Sequence, residues 1–251
     1  GASGLVGRAV TARLSAAGYP LTLAGRTAGS PSAASTHRHV GVGALSGRTD
    51  WSEALEGCAT VVHLAAQVPG PNIPDDNFRT VNDEATAVLV QQAGSARVRR
   101  FVFMSSIFAI TGNASNAVVT DTTDPAPTSA YGRSKLAAER YVSAFSGQGR
   151  LGVSLRPAMV YGANAAGNWR LLQKLAASGV PLPFGAVRNR RSMIGVDTLA
   201  DAVATVIIGR DDVPAGAFAL ADSDPISLAE ALYLLQEGMA KPARLISVPP
   251  G

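Results

Sequence analysis

The sequence is poor in the residues that cross-link chains or bind metals, with one cysteine and three histidines in 251 residues. A single thiol, Cys58, excludes an internal disulfide, and so few imidazoles argue against a metal site. Charged residues are also scarce, at 16% against 47% hydrophobic residues. This composition describes a globular protein with a substantial core, in a reducing compartment such as the cytoplasm.

Long apolar runs are missing as well. The longest candidate, residues 101–110, contains two serines and falls short of the roughly 18 apolar residues that a membrane span needs. No basic-then-apolar leader is visible at the start, so we expect neither a membrane span nor a secretory signal. The net charge of +4 is spread without a long basic run. It argues against nucleic acid as a partner and suits a substrate with two phosphates.

Short apolar runs alternate with segments of helical periodicity along the chain. The runs are residues 21–24, 60–65, 101–105 and 153–155. Strands this apolar, separated by amphipathic helices, predict an α/β fold with a doubly wound parallel sheet covered on both faces. After Tyr161 the pattern breaks into pieces punctuated by glycine and proline, such as residues 179–185. This change predicts a smaller C-terminal lobe.

A glycine-rich turn opens the sequence, where Gly1, Gly4 and Gly7 lead directly into a helical pattern. Glycines let the backbone approach a pyrophosphate, which then binds the free N–H groups of a helix N-terminus. The position before an amphipathic helix and a further strand predicts a dinucleotide site, against the alternative of a purely structural turn. Such a turn normally follows a strand, so we expect the natural protein to have residues before Gly1.

The residue after the next apolar run indicates the type of cofactor. Dinucleotide folds usually place an acidic residue about 20 positions after the glycines to hold the adenosine ribose, whereas this chain has Arg26. A guanidinium pairs well with a 2′-phosphate, so Arg26 favours NADP over NAD. The alternative is that Arg26 is a solvated loop residue.

Tyr131 and Lys135 are four residues apart at the start of a helical segment, which places both on one face. A phenol has an ordinary pKa near 10, and proton transfer near neutral pH requires lowering it by about 3, roughly 4 kcal/mol. A nearby ammonium and an oxidised nicotinamide both stabilise the phenolate. Upstream, Ser105 and Ser106 close an apolar strand, where α/β folds place ligand-contacting groups. The alternatives are a tyrosine that packs in the core and serines that only end the strand.

In combination these motifs resemble the extended short-chain dehydrogenases/reductases, the family of NAD-dependent sugar-nucleotide epimerases and dehydratases. The resemblance covers essentially the whole chain. Besides the glycine turn, it is carried by residues 62–66, 80–82, 101–106, 131–135 and 155–162. We therefore expect a Rossmann-type dinucleotide-binding domain over residues 1–162, to which 197–210 return, and a substrate-binding lobe over residues 163–196 and 211–251.

The resemblance also implies roles for individual residues. Tyr131 is the acid/base, Lys135 lowers its pKa while holding the nicotinamide ribose, and Ser106, rather than Ser105, binds the reacting sugar hydroxyl. The other residues implied on the cofactor side are Gly1, Gly4, Leu5, Val6, Gly7, Arg26, Ala44, Leu45, Leu64, Ala65 and Ala66, with Asn82 ordering the neighbouring helix and Pro157 and Met159 flanking the nicotinamide.

A closer resemblance is to the UDP-hexose and UDP-N-acetylhexosamine 4-epimerases and related 4-keto reductases, through residues 49–51, 181–185 and 188–192. It implies that Arg191 contacts the substrate pyrophosphate, that Asn168 lies on the nucleotide side, and that the stretch from Leu182 to Phe184 passes the uracil. The alternatives are a surface charge at Arg191 and a helix cap at Asn168.

Two segments depart from the family pattern. Gly43, Ala44 and Leu45 stand where relatives carry an acidic residue near the adenine. Residues 110–112 replace a tyrosine–glycine pair, shifted by one residue. These departures leave adenine recognition and sugar specificity open, but not the core chemistry.

The favoured function is an NAD(P)-dependent 4-epimerase that acts on a UDP-hexose or UDP-N-acetylhexosamine through a 4-keto intermediate. An NADPH-dependent 4-keto reductase is the alternative that Arg26 favours. A non-catalytic NADP-binding sensor or scaffold is a third, against which the presence of Ser106, Tyr131 and Lys135 argues. The resemblance further implies a homodimer formed through the helices that carry Asn82 and Tyr131.

Overall fold

The computed structural model describes residues 1–28, 37–115, 117–165, 167–209, 213–242 and 244–247. The chain forms two compact units. The first comprises Gly1–Pro157 and Leu199–Leu220, and the second comprises Ala158–Thr198 and Ala221–Gly251. None of the helices in the described residues is long and apolar enough to cross a membrane.

The described residues contain helices and strands in regular alternation. The α-helices are α1 (Leu5–Ala16), α2 (Ser52–Leu55), α3 (Asp75–Phe78), α4 (Ala85–Ser95), α5 (Ala130–Phe145), α6 (Asn168–Ala177), α7 (Val196–Ile208) and α8 (Leu228–Gly238). A π-helix covers Arg79–Glu84 and a 3-10 helix covers Ile107–Ala109. The strands are β1 (Thr22–Gly25), β2 (Arg38–Gly41), β3 (Thr60–His63), β4 (Arg100–Met104), β5 (Leu151–Pro157), β6 (Met159–Tyr161), β7 (Arg190–Arg191), β8 (Met193–Gly195), β9 (Gly216–Leu220) and β10 (Ile226–Ser227).

In the first unit all the paired strands are parallel. β1 pairs with β2, and a second sheet has the order β3-β4-β5-β9. The central strand β4 is apolar and almost wholly buried, as a parallel strand covered on both faces must be. The predicted α/β class with a parallel sheet is thus confirmed.

The core of the first unit lies between the sheet and its helices. Phe101 and Phe103, both fully buried, point to one face of β4 because side chains alternate along a strand. They pack with Leu89 of α4 and with Val142 and Phe145 of α5. The spacing of the apolar residues on α5 therefore fixes which face of that helix meets the sheet, and with it the direction of Tyr131 and Lys135.

The second unit contains α6 and α8, the parallel pair β6–β8 and the antiparallel pair β7–β10. Its apolar cluster is built around Ala176, Leu182 and Leu232, all buried. Helix α8 begins at a capping box, in which the Ser227 hydroxyl accepts from the N–H of Glu230 and the Glu230 carboxylate accepts from the N–H of Ser227.

Three segments differ between the predicted domains and the observed units: residues 158–162, residues 197–198 and, among the described residues, 213–220. Residues 216–220, assigned to the lobe, form β9 and pair with β5 along its length, because Ala217 to Leu220 supply an apolar edge to the sheet. Residues 158–162, assigned to the dinucleotide domain, belong to the second unit, where β6 pairs with β8.

Candidate active site

The catalytic serine predicted from the sequence lies just past the carboxyl end of β4. Ser106 is buried and caps the 3-10 helix, where its Oγ accepts from the N–H of Phe108 at 3.3 Å. The same side chain lies close enough to the Tyr131 hydroxyl to lower the pKa of that phenol. Ser105 is buried too, but its hydroxyl donates to the Glu139 carboxylate. The structure therefore joins Ser106, and not Ser105, to the tyrosine.

Tyr131 and Lys135 share one face of α5 near its start. The helix is capped by Ser129, whose Oγ accepts from the N–H of Gly132 at 3.0 Å. Lys135 Nζ lies 5.9 Å from the centre of the Tyr131 ring and donates to the carbonyl oxygen of Met104 at 2.8 Å. The short helical spacing thus brings the phenol and the amine to the end of β4 together.

Burial dominates the protonation of both groups. It raises the pKa of Tyr131, an effect that the Ser106 side chain partly opposes. It lowers the pKa of Lys135 to about 7, against the influence of the Glu139 carboxylate. The net direction at Tyr131 is therefore upward, and the lowering of its pKa that the family resemblance attributes to Lys135 stays a prediction for the protein with NAD bound.

The glycine turn is packed too tightly for side chains. A Cβ on Gly7 would lie 2.1 Å from the carbonyl oxygen of Gly1, and a Cβ on Gly1 would lie 2.6 Å from the backbone nitrogen of Ala65. Gly4 begins α1 without a side-chain cap, and the first turn of α1 carries no acidic residue. The N–H groups of Leu5, Val6 and Gly7 are therefore oriented to bind an anion at the start of this helix.

Other predicted cofactor residues also follow the carboxyl ends of strands in the first unit. Arg26 is exposed directly after β1, and Leu45, after β2, packs against the core. Ala44 precedes Leu45, Leu64, Ala65 and Ala66 follow β3, and Pro157 ends β5. Because dinucleotides bind at this edge of parallel sheets, these residues and the helix N-terminus fit an NAD or NADP molecule.

Asn82 lies in the π-helix and is 1% exposed. Its amide accepts from the N–H of Gln67 at 2.8 Å and donates to the carbonyl of Gln67 at 2.9 Å and to Ser134 Oγ at 3.1 Å. Ser134 Oγ in turn donates to the carbonyl oxygen of Tyr131 at 2.8 Å. Sequence reasoning missed Gln67 and Ser134, although the position of Ser134 inside the tyrosine–lysine motif was a signal.

The second unit has its own cavity of about 210 Å³, which includes three of the predicted site residues. Its lining comprises Met159, Asn168, Leu171, Leu172, Asn189, Arg191, Met193, Ile226, Ser227, Leu228 and Ala231. Arg191 is exposed on β7, and Asn168 is the first residue of α6, whose cap is Gly167. The helix-cap interpretation of Asn168 is therefore wrong. Asn189 and Ser227 are polar lining residues that the sequence analysis missed.

Two predicted substrate residues do not line this cavity. Leu182 is 5% exposed and belongs to the apolar core of the second unit, against which Phe184 packs. The backbone of Leu182 is hydrogen-bonded to Arg244 and Ile246. Hydrophobic packing thus holds both side chains in the core. Because neither lines the cavity, the structure does not support the predicted contact with a uracil.

The family model of the NAD dependent epimerase/dehydratase family matches residues 1–220. The chain belongs to this family. Within the described residues no group of three or more histidine, cysteine, aspartate or glutamate side chains could hold a metal ion. The family assignment confirms the resemblance drawn from the sequence, and NAD is the cofactor named in the family description.

Individual relatives of this epimerase/dehydratase chain differ in their chemistry. The UDP-glucose 4-epimerase of Vibrio cholerae is 32% identical over 222 residues, which are 83% of this chain and 65% of that enzyme. The 4-hydroxy-2-methyl-3-oxo-4-farnesyl-3,4-dihydroquinoline-1-oxide ketoreductase of Stigmatella aurantiaca is 26% identical, over 99% of this chain and 75% of its own. The chain thus spans less than two thirds of the Vibrio cholerae enzyme.

A solved structure confirms the Rossmann-type fold. MoeE5 in complex with UDP-glucose and NAD superposes with a TM-score of 0.80 at 25% identity, over 99% of this chain and 83% of that one. MoeE5 is thus a protein of the same fold that binds both UDP-glucose and NAD.

Proposed function

We propose that the protein is an NAD(P)-dependent 4-epimerase of a UDP-hexose or UDP-N-acetylhexosamine. The observation that carries the proposal is the arrangement of Ser106 beside the half-buried Tyr131, with the buried Lys135 one turn further along α5. The Vibrio cholerae 4-epimerase and the UDP-glucose and NAD bound to MoeE5 support this substrate class.

Each catalytic side chain has one task in this reaction. Ser106 Oγ holds the C4 hydroxyl of the sugar against Tyr131, whose phenolate oxygen removes the hydroxyl proton. A bound NAD would supply the acceptor and the donor of the hydride at sugar C4. After the 4-keto sugar has presented its other face, Tyr131 would return the proton to the C4 oxygen. Lys135 is buried and Tyr131 is half-buried, which limits the access of bulk water to the proton that Tyr131 exchanges with the sugar.

The proposal is tested by incubating the complete protein, without added cofactor, with UDP-glucose and separately with UDP-N-acetylglucosamine. Proton NMR then follows the anomeric signal and the C4 proton. Appearance of the galacto isomer is expected, because an epimerase returns the hydride within one catalytic cycle. If the protein contains stoichiometric NAD and neither substrate gives its galacto isomer, the result would contradict an epimerase.

A 4-keto reductase is a second candidate. It is favoured by the exposed Arg26 after β1 and by the ketoreductase relative from Stigmatella aurantiaca. In this reaction the hydride moves once, from the reduced cofactor to the carbonyl carbon, and Tyr131 donates the proton to the carbonyl oxygen. Oxidation of NADPH in the presence of a 4-keto sugar nucleotide would identify it.

Replacing Arg26 with aspartate is expected to weaken NADPH binding about 10–100-fold and to leave NADH binding within a few-fold. A hydrogen bond between a guanidinium and a phosphate contributes about 1.5–3 kcal/mol, and only NADPH has the 2′-phosphate. Dissociation constants from fluorescence titration check this. Arg99→Asp is the matched control, since Arg99 is exposed at the amino end of β4. Equal weakening of both cofactors would contradict the role of Arg26.

Replacing Arg191 with leucine is expected to raise KM for the sugar nucleotide about 10–100-fold with a smaller change in kcat. A lost charge-assisted contact to a pyrophosphate affects ground state and transition state alike. Arg188→Leu is the control, because Arg188 lies in the same segment, outside the cavity lining, and donates to the carbonyl of Gly185. Initial-rate kinetics with both variants separate the two outcomes; an unchanged KM in Arg191→Leu would count against a pyrophosphate contact.

The proposal includes two expectations about the whole protein. One is a homodimer through the π-helix and α5, the helices that carry Asn82 and Tyr131, and the other is a cytoplasmic location. The family resemblance supports the first, and the single cysteine supports the second. A monomeric mass in light scattering would contradict the dimer.

A further inference from the structure

Three consecutive residues hold the end of β4 against α5. Ser105, between the other two, donates its hydroxyl proton to Glu139, which lies one turn beyond Lys135 on α5. The three pairs are Met104 with Lys135, Ser105 with Glu139, and Ser106 with Tyr131.

Glu139 is itself fixed from β5. Arg156 donates from Nε to Glu139 Oε1 at 2.9 Å and from Nη2 to Oε2 at 2.6 Å. Both residues are 6% exposed. A buried carboxylate is tolerated only when it is paired and hydrogen-bonded, and this one accepts from a bidentate guanidinium and a hydroxyl. The ion pair therefore joins β4, α5 and β5 while it keeps the net charge near zero.

The charges around Lys135 come from few groups. Tyr131 and Glu139 lie on its own helix, and Arg156 of β5 acts through Glu139. β4 contributes the Met104 carbonyl and the ring of Phe103, whose centre is 4.7 Å from Nζ. From β3, His63 is buried and neutral, since burial lowers its pKa to about 3. Among these groups, the charged neighbours of Lys135 are therefore Glu139 and its partner Arg156. A change in either charge is expected to move the pKa of Lys135.

We propose that the Glu139–Arg156 ion pair is a positioning element of this active site. It holds the end of β4 in register with α5, so that Ser106 meets Tyr131. Because Arg156 pairs with the Glu139 carboxylate, it also limits the influence that this carboxylate has on the charge of Lys135. The role in catalysis rests on the proposed function, whereas the effect on Lys135 does not.

The effect on Lys135 is measured by NMR titration of protein labelled at lysine Cε. The chain has three lysines, Lys135, Lys174 and Lys241, and Lys135→Met assigns the catalytic one. In Glu139→Gln the unpaired Arg156 should lower the apparent pKa of Lys135, and in Arg156→Gln the unpaired carboxylate should raise it. We expect each change to be about one pH unit or more, since charges at this distance act on that scale.

The controls separate this effect from general disturbance. Glu56→Gln removes a carboxylate from the exposed pair with Arg38, 3.1 Å apart, and should leave the Lys135 titration unchanged. Arg156→Lys keeps the charge and should restore the titration toward the wild-type value. A Lys135 that titrates as in wild type in both Glu139→Gln and Arg156→Gln, with both proteins folded, overturns the proposal.

The kinetic consequence follows the same signs. The kcat of Glu139→Gln should fall about tenfold or more, because small displacements of catalytic groups are costly, and KM should change little. The midpoint of the pH profile of kcat should move to lower pH in Glu139→Gln and to higher pH in Arg156→Gln. A merely structural role would lower the stability of both variants without moving the two midpoints in opposite directions. If neither variant folds, Ser105→Ala replaces them: it should lower kcat and move the Lys135 titration upward, and wild-type values of both would overturn the proposal.

The titration requires no turnover. An absence of epimerase activity in the wild-type protein, together with opposite displacements of the Lys135 titration, would therefore refute the proposed function and leave the charge-balancing role of the pair standing.

Discussion

Tyr131→Phe is expected to lower kcat by about 10²–10⁴-fold, the contribution typical of a positioned general acid or base. The phenylalanine ring keeps the edge contacts with Phe78 and Phe108, whose ring centres lie 6.0 and 6.2 Å away. Ser106 still accepts from the N–H of Phe108. Stability should therefore change by no more than about 1 kcal/mol, the value of one hydrogen bond. NMR progress curves and denaturant unfolding measure the two quantities.

Tyr141→Phe is the matched control for this variant. Tyr141 lies on the same helix, is 37% exposed and has a hydroxyl whose pKa is raised by the neighbouring Asp83 carboxylate. Loss of the Tyr141 hydroxyl should leave kcat within about twofold of the wild-type value, as expected for a surface substitution away from the site. A Tyr131→Phe protein that retains half of the wild-type kcat would refute the assignment of the acid/base.

Gly132→Ala is expected to damage both stability and catalysis, because α5 approaches the 3-10 helix with no room for a side chain. A Cβ on Gly132 would lie 2.2 Å from the carbonyl oxygen of Phe108 and 3.0 Å from Pro127 Cβ. Relieving this clash must push α5 and Tyr131 away from Ser106. Overpacking of this kind costs about 1–3 kcal/mol, and a displacement near 1 Å lowers kcat about 10²-fold.

Gly47→Ala provides the control for the added methyl group. A Cβ at Gly47 would meet Glu84 Cβ at 3.5 Å, an ordinary van der Waals distance. This variant should keep the wild-type kcat and unfold within about 0.5 kcal/mol of wild type. If Gly132→Ala matches Gly47→Ala in both measurements, α5 does not depend on the close approach.

The proposed catalytic residues could be brought together from the sequence because their signals are local. Tyr131 and Lys135 share a helix face through a spacing of four, and Ser106 ends an apolar strand, so the sequence pattern alone placed them near one sheet edge. The glycine turn was predictable for the same reason, because the spacing of its glycines is a local signal. The structure explains the glycines, since a Cβ on Gly1 or Gly7 would have no space. The choice between Ser105 and Ser106 rested on resemblance, and the structure supports it through the partners of the two hydroxyls.

Contacts between distant segments could not be predicted in the same way. Glu139 and Arg156 each look like an ordinary charged residue in the sequence, and only the packing of β5 beside α5 joins them in a buried pair. Residues 216–220 carry too short a pattern to show that they pair with β5. Leu182 and Phe184 were assigned to the substrate by motif, yet their apolar side chains are used in the core.

The sequence by itself determined the α/β class, the dinucleotide turn and the serine–tyrosine–lysine set, because each depends on periodicity or on spacing within one element. The tertiary structure decided the boundaries of the two units, the residues that line the cavity of the second unit, and the protonation of the catalytic pair. Burial outweighs the influence of the Ser106 side chain on the pKa of Tyr131 and that of the Glu139 charge on the pKa of Lys135. Burial is a property of the whole packed unit, so no short stretch of sequence encodes it.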